Sequence, residues 1–338
     1  MAEYAFTPDV VRVTLVVGVV LSMILYERVQ LTTGGAIVPS YLAMAVYRPA
    51  AVAVTLAVGY ATYLIVHRWI GRTVILYGRR RFEIEVLVGL ALILCTTLIA
   101  ARAGQLDPMW YGLAGIGFLV PGILAHDMGR QRPGRTVAVT LATAGLLVIF
   151  MRAYSAVVGI LPGAKGTDVV GLASVLGYPR ELLVIAVASS VLMGMFVYAR
   201  LGLRSGGFIT GAYLALVSPR WWVLAFTVGV AVVVYLVVVR VLMPRMLIFG
   251  RRKLATMILV SGLVAWSAEA ALIGWSNGDY VPWRGLTIAT LMVPALLAND
   301  AQRQGWERTL WGTCLTSVGV FTLVSFVAAA ATAVGWLS

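Results

Sequence analysis

The sequence predicts an all-α integral membrane protein, with about twelve helical segments in two parallel six-segment repeats and short helices interrupted by Gly or Pro. Three observations predict it. Of 338 residues, 61% are hydrophobic and only 12% charged, and the mean hydropathy is +0.95. A soluble domain carries roughly 25% charged residues, so no water-soluble fold of this size covers so much apolar surface with so few charges, and a bilayer is the alternative solvent. The apolar runs are continuous rather than alternating, which argues for helices, the element that satisfies its own backbone in lipid. Finally, motifs from one half of the chain return in the other at nearly one offset.

The duplication is explicit. Gly34-Gly35-Ala36-Ile37 with Tyr41-Leu42-Ala43 returns as Gly206-Gly207-Phe208-Ile209 with Tyr213-Leu214-Ala215. Ile75 to Arg81, reading ILYGRRR, returns as Leu247 to Lys253, reading LIFGRRK. Val120-Pro121 with Ala125-His126-Asp127 returns as Val293-Pro294 with Ala298-Asn299-Asp300. The expected organisation is a first membrane repeat over 1–158, a Gly-containing linker over 159–177 and a second membrane repeat over 178–338.

Each copy holds six apolar segments, near 10–26, 34–47, 50–70, 84–101, 111–126 and 136–158, then near 181–199, 206–217, 221–243, 254–274, 285–298 and 309–337. The first follows Met1 to Asp9, which lacks a basic stretch, and no small-residue cleavage site follows it, so it reads as a span rather than a cleaved signal. Segments two and five are short; 14 helical residues reach only ~21 Å against ~30 Å of hydrocarbon. They are half-helices, re-entrant loops or short spans.

Charge favours crossing. If all six segments cross, the loops after segments one, three and five share a face. That face collects Arg28, Arg68, Arg72, Arg79, Arg80, Arg81, Arg130, Arg132 and Arg135 in the first copy. In the second it collects Arg200, Arg204, Arg240, Arg245, Arg251, Arg252, Lys253, Arg303 and Arg308. Arg12, Arg48, Arg102, Arg152, Lys165, Arg180, Arg220 and Arg284 are all that remain. The asymmetry fits the positive-inside rule with both termini outside. An even number of crossings per copy makes the repeats parallel.

Three groups of residues are candidates for function. Arg79, Arg80, Arg81, Arg251, Arg252 and Lys253 form two basic turns, read either as topology anchors or as a surface that gathers a polyanion or an acidic partner. Gly34, Gly35, Pro39, Gly206 and Gly207 interrupt segment two, and Pro121 and Pro294 interrupt segment five. They permit close helix packing, or mark broken helices whose freed backbone lines a polar path. Glu27, Asp127, Glu269 and Asp300 are carboxylates in or near the membrane, where each requires a partner or water. Arg130 and Arg303 stand three residues after Asp127 and Asp300, one helical turn away, so an ion pair is within reach. Glu269 has no counterpart in the first copy.

Other chemistries are poorly represented. The net charge of +13 would suit nucleic acid, but the bases sit in short clusters between apolar runs, as in membrane-protein loops, and no nucleic-acid partner is expected. His67 and His126 have no metal-ligand spacing, no glycine loop ends in Gly-Lys-Ser or Gly-Lys-Thr, and Gly115-Ile116-Gly117 lacks a dinucleotide-binding context. Cys95 and Cys314 read as small hydrophobes. No metal, cofactor or catalytic residue is expected, and ATP chemistry would belong to another protein.

Several stretches resemble one family. Tyr26-Glu27-Arg28 followed by Gly34 to Ala43, Ile75 to Phe82 (ILYGRRRF), and Val293 to Gly305 (VPALLANDAQRQG) resemble, in order and spacing, the PgsC/CapC family of poly-γ-glutamate biosynthesis membrane proteins. Usual members are about half this length, so the chain resembles two fused members. The first copy is nearer the family at Pro39, where the second has Gly211. The second is nearer at Asn299 and Gln302-Arg303-Gln304-Gly305, where the first has His126 and Gly129-Arg130-Gln131-Arg132, so the two sites need not be equivalent. The resemblance implies a multi-pass protein of the bacterial plasma membrane, most simply a non-catalytic subunit. Its partners would be a PgsB/CapB-like cytoplasmic ATP-dependent ligase, a CapA-like surface-facing protein, the lipid bilayer and poly-γ-glutamate itself. Its role would be to anchor the ligase and pass the polyanion outward. An autonomous transporter of a small anion and a non-conducting anchor are the alternatives.

Overall fold

The structure, a computed structural model, describes residues 8–76, 78–104, 116–160, 180–276 and 289–333. No strand occurs among them. Packing divides the chain into two units, one within residues 4–169 and one within 170–338. Residues 161–179, which hold most of the expected 159–177 linker, lie outside the described residues.

Among the described residues the first unit has six principal helices: α1 (Pro8–Val29), α2 (Val38–Met44), α3 (Pro49–Leu64), α4 (Gly78–Gly104), α5 (Val120–Arg130) and α6 (Pro133–Ile160). The second repeats them: α7 (Arg180–Leu201), α8 (Phe208–Val217), α9 (Trp221–Tyr235), α10 (Gly250–Trp275), α11 (Ala289–Gln304) and α12 (Trp306–Ala333). Eight of the twelve are long and apolar enough to cross a membrane, counting the π-helical extensions of α3 and α9, Ile65–Ile70 and Leu236–Leu242. The four short helices are the expected segments two and five. At 7, 10, 11 and 16 residues they rise only ~10 to ~24 Å.

A short helix nevertheless completes a crossing when non-helical chain joins it. The hydroxyl of Thr33 donates to the Ser22 hydroxyl (2.8 Å), that of Ser22 to the Ala36 carbonyl (3.4 Å) and that of Ser40 to the Thr14 carbonyl (3.2 Å). The chain after α1 therefore folds back along it, and α2 runs antiparallel to α1. Helix α3 then starts at Pro49 and returns His67 to the end where α1 finished, ~27 Å of helix later. Residues 30–48 cover that same depth, as eight non-helical residues followed by a short helix. Where this backbone is not helical, Ser and Thr hydroxyls satisfy it, as lipid requires. The Ile116 N–H likewise donates to the Thr55 hydroxyl at 2.8 Å.

The backbone at the break demands glycine. Gly34 and Gly35 have φ of +74° and +107°, and Gly206 and Gly207 have +72° and +90°, a region that side chains disfavour. A Cβ on Gly34 would lie 2.6 Å from Leu124 Cδ1, and one on Gly206 3.0 Å from Leu297 Cδ2. The space beside these glycines is thus filled by apolar side chains of segment five. Pro39 and Pro121 sit in the first turns of α2 and α5, where a missing N–H costs nothing, so they start helices rather than break them. Pro294 does lie inside α11, and the Ser261 hydroxyl takes up the nearby Leu291 carbonyl at 2.8 Å.

A second symmetry emerges inside each unit. Val38-Pro39-x-x-Leu42-Ala43 has the same form as Val120-Pro121-x-x-Leu124-Ala125, each three residues after a positive-φ glycine, Gly35 and Gly117. Helix α2 packs on α1 and α6, and α5 packs on α4 and α3. Because α2 and α5 run in opposite directions, α1–α3 and α4–α6 are two three-helix halves of inverted sense. The second unit packs in the same way, α8 on α7 and α12, and α11 on α10 and α9. Inverted repeats with broken helices are a building plan of membrane transporters.

Candidate functional site: the basic end of each unit

In each unit the loops after segments one, three and five meet at one end. In the first, the Gln131 side chain clamps the backbone of Thr32. Its Oε1 accepts from the Thr32 N–H at 3.1 Å, and its Nε2 donates to the Thr32 carbonyl at 2.6 Å. In the second, Gln304 does the same to Arg204, at 2.9 and 2.8 Å. The clamp ties the exit of segment one to the exit of segment five, about a hundred residues away. Together with the packing of His67 and Arg81 against Gly129 and the bond from Lys253 to Gln302, it brings the three basic loops of each unit to a common end.

The basic turns open α4 and α10. Cations in the first turn of a helix meet the positive end of its dipole, a cost of about 0.3–1 kcal/mol each at exposed positions. The first unit offsets this internally. Arg79 Nε donates to Glu83 Oε1 at 2.6 Å and Arg81 Nε to Glu85 Oε1 at 3.1 Å. Glu83 and Glu85 are buried, at 2% and 0% exposure. Glu85 also accepts from His126 Nδ1 at 2.6 Å, and His67 Nδ1 lies 3.9 Å away. His67 rides on the π-helical stretch ending α3, a distortion often found at functional sites. A Cβ on Gly129 would collide with both His67 and Arg81, so these side chains fill that space.

The second unit builds the same end differently. Ala255 and Met257 stand where Glu83 and Glu85 would be. Lys253 is a buried residue, and its ammonium donates to Gln302 Oε1 at 2.6 Å. Asp300 accepts from the Gly206 N–H at 3.1 Å and lies 3.8 Å from Arg204 Nη1, a partner that one-turn spacing does not reveal. The carboxylate thereby pins the Gly-Gly break.

The remaining candidates divide. Arg80, Arg130, Arg252 and Arg303 are exposed at the basic ends. Asp127 is buried in α5 at the position matching Asp300. Glu27 is half-buried near the end of α1. Glu269 is buried in α10, ~24 Å of helix from Lys253, and is not brought to the basic end. Among the described residues, no group of three His, Cys, Asp or Glu side chains is placed to hold a metal ion. Sequence reasoning missed Glu83, Glu85 and Gln131, placed Arg204 on the basic face without its pairing to Asp300, and set aside both histidines. Only the i,i+4 spacing of Arg79–Glu83 and Arg81–Glu85 offered a signal.

The profile of the family described as "Capsule biosynthesis CapC" matches this chain twice, over residues 17–137 and 189–310. The "Capsule biosynthesis protein CapC" of Bacillus anthracis is 34% identical over 143 residues, 42% of this chain and 93% of that protein. The "PGA biosynthesis protein CapC" of Bacillus subtilis (strain 168) is 30% identical over 143 residues, with the same coverage. Nearly a whole relative thus aligns with less than half of this chain. No solved structure matches.

Proposed function

This multi-pass membrane protein belongs to the CapC capsule-biosynthesis family, and from that premise we propose that it is the membrane subunit of a poly-γ-glutamate synthesis and export complex. It anchors a cytoplasmic CapB-like ligase that joins glutamates at the expense of ATP, and hands the growing chain outward to a CapA-like partner. The chain itself contributes no catalytic group. The observation that supports this reading is the gathering of nine basic side chains at one end of each unit, with the start of its first helix and the end of its last helix at the other. In a bacterial membrane the positive-inside rule turns that end to the cytosol and both termini outside. A polymer with a carboxylate on every residue is drawn to it, within a Debye length of ~8 Å.

The test is deletion of the gene in a polymer-producing strain, followed by complementation with this chain. The expected result is no surface polymer, with the ligase still folded but lost from the membrane, and recovery of both on complementation. Normal export after deletion refutes the proposal. The inverted three-helix halves favour a second reading, an autonomous transporter of a small anion. Gradient-driven uptake of glutamate by liposomes holding this chain alone would support the transporter against the subunit.

A further inference from the structure

The two units carry the same backbone clamp but differ in how their inward charges are compensated. In the first, each of the two arginines that turns inward at the start of α4 meets a buried glutamate one turn on. Glu85 is further shared with His126, so the inward face of that end is neutralised by the unit's own carboxylates. The place of the Gln302 side chain is taken there by the His67 ring and the Arg81 guanidinium, packed over Gly129. In the second unit both glutamates are replaced, by Ala255 and Met257. The charged groups that act on the buried Lys253 are Arg303, Asp300 and Arg204. Three cations therefore surround one carboxylate, and that carboxylate is already engaged by the Gly206 N–H and Arg204.

Cations at a helix N-terminus oppose the helix dipole, and burying an ammonium without a counter-charge is costly. Among the described residues, the hydrogen-bond partner of Lys253 is a neutral amide, Gln302, and the one carboxylate acting on it, Asp300, is shared with Arg204. An arrangement that gives up stability in this way, where the sister unit cancels the same charges, is complementary to an anion brought from outside. Lys253 is buried as a residue and its ammonium is held on Gln302, whereas a lipid headgroup would be met by the exposed Arg252. A flexible chain bearing carboxylates reaches an inward site that a headgroup held in the bilayer plane does not.

We propose that the units have diverged in role: the Lys253, Arg204 and Arg303 end of the second is the carboxylate-binding site for an acidic polypeptide, and the first is self-neutralised and does not bind. This rests on the polyanion reading above and assigns it to one unit.

The test uses the full chain in phosphatidylcholine nanodiscs and a fluorescent γ-linked glutamate decamer. The expected result is one decamer per chain. Lys253→Gln lowers affinity at least tenfold, Lys253→Arg restores it to within about threefold, and Arg81→Gln costs far less than Lys253→Gln. Giving the first unit the second unit's residues, Glu83→Ala with Glu85→Met, raises the stoichiometry from one to two. Two equal sites in the wild type, or a larger loss from Arg81→Gln than from Lys253→Gln, overturns the assignment while leaving the polyanion reading intact. Absence of any decamer binding by the wild type sinks the polyanion reading itself. Lys253-dependent capture of phosphatidylglycerol vesicles without decamer binding replaces the polypeptide with a lipid and refutes the proposal.

Discussion

Replacing Gly206 with Ala tests the break in segment two directly. Gly206 has φ of +72°, and holding an L-residue there costs ~1–2 kcal/mol. The new methyl lies 3.0 Å from Leu297 Cδ2 and 3.0 Å from Thr210 Cγ2, closer than ordinary contact. Leu297 yields readily, but Thr210 is β-branched and its hydroxyl is bonded to the Gly206 carbonyl, so overpacking adds ~1–2 kcal/mol of its ~1–3 kcal/mol range. The backbone cannot swing away cheaply, because the Gly206 N–H is held by Asp300. The sum is about 2–4 kcal/mol, or roughly 30-fold to several hundred-fold in the unfolding equilibrium. Reversible unfolding in mixed micelles, titrated with denaturing detergent, measures it. Gly229→Ala is the control. Gly229 lies inside α9 with nothing within 4 Å of a new Cβ, and Ala there stabilises by up to about 1 kcal/mol. If Gly206→Ala unfolds within about 0.5 kcal/mol of the wild type, the Gly-Gly break is not a constrained backbone feature and the account of how segment two crosses fails.

Other outcomes follow from the basic ends. Glu85→Met strands Arg81 and His126 Nδ1; breaking a buried pair costs ~3–5 kcal/mol, and because the Arg81 side chain is 30% exposed the expected loss is about 2–3 kcal/mol in the same unfolding assay, part of it recovered by adding Arg81→Met. Gln304→Ala removes both bonds to the Arg204 backbone and lowers stability by about 2 kcal/mol; an unchanged midpoint would show that the clamp does not hold the loops together. Arg80→Gln with Arg252→Gln removes charge at two exposed positions, so surface polymer falls severalfold at an unchanged membrane level of the protein; equal polymer output would reduce the two arginines to topology signals.

The fold was legible because lipid imposes simple rules. Long continuous apolar runs, the repeated Gly-Gly and basic turns, and the shortness of segments two and five all follow from backbone satisfaction and bilayer thickness. The inverted halves were visible in principle, since Val38-Pro39 and Val120-Pro121 open the same short motif, but a repeat of opposite sense leaves a faint trace beside a 172-residue duplication. The site was legible as charge and not as chemistry. Arg79, Arg80 and Arg81 read alike in sequence, yet the first and third face buried glutamates and the second faces out, a distinction made by helical phase. His126 looked unpaired because Glu85 lies 41 residues before it. The contrast between Glu83 with Glu85 and Ala255 with Met257 gains meaning only once Lys253 is seen to be buried.

Side-specific labelling of Arg80→Cys and Arg252→Cys, in a chain whose Cys95 and Cys314 are replaced by Ala, tests the central claim most directly. The expected result is that a membrane-impermeant maleimide labels both positions in inside-out vesicles and neither in intact cells. Labelling in intact cells would place the basic ends outside, where no cytosolic ligase or nascent polyanion could reach them.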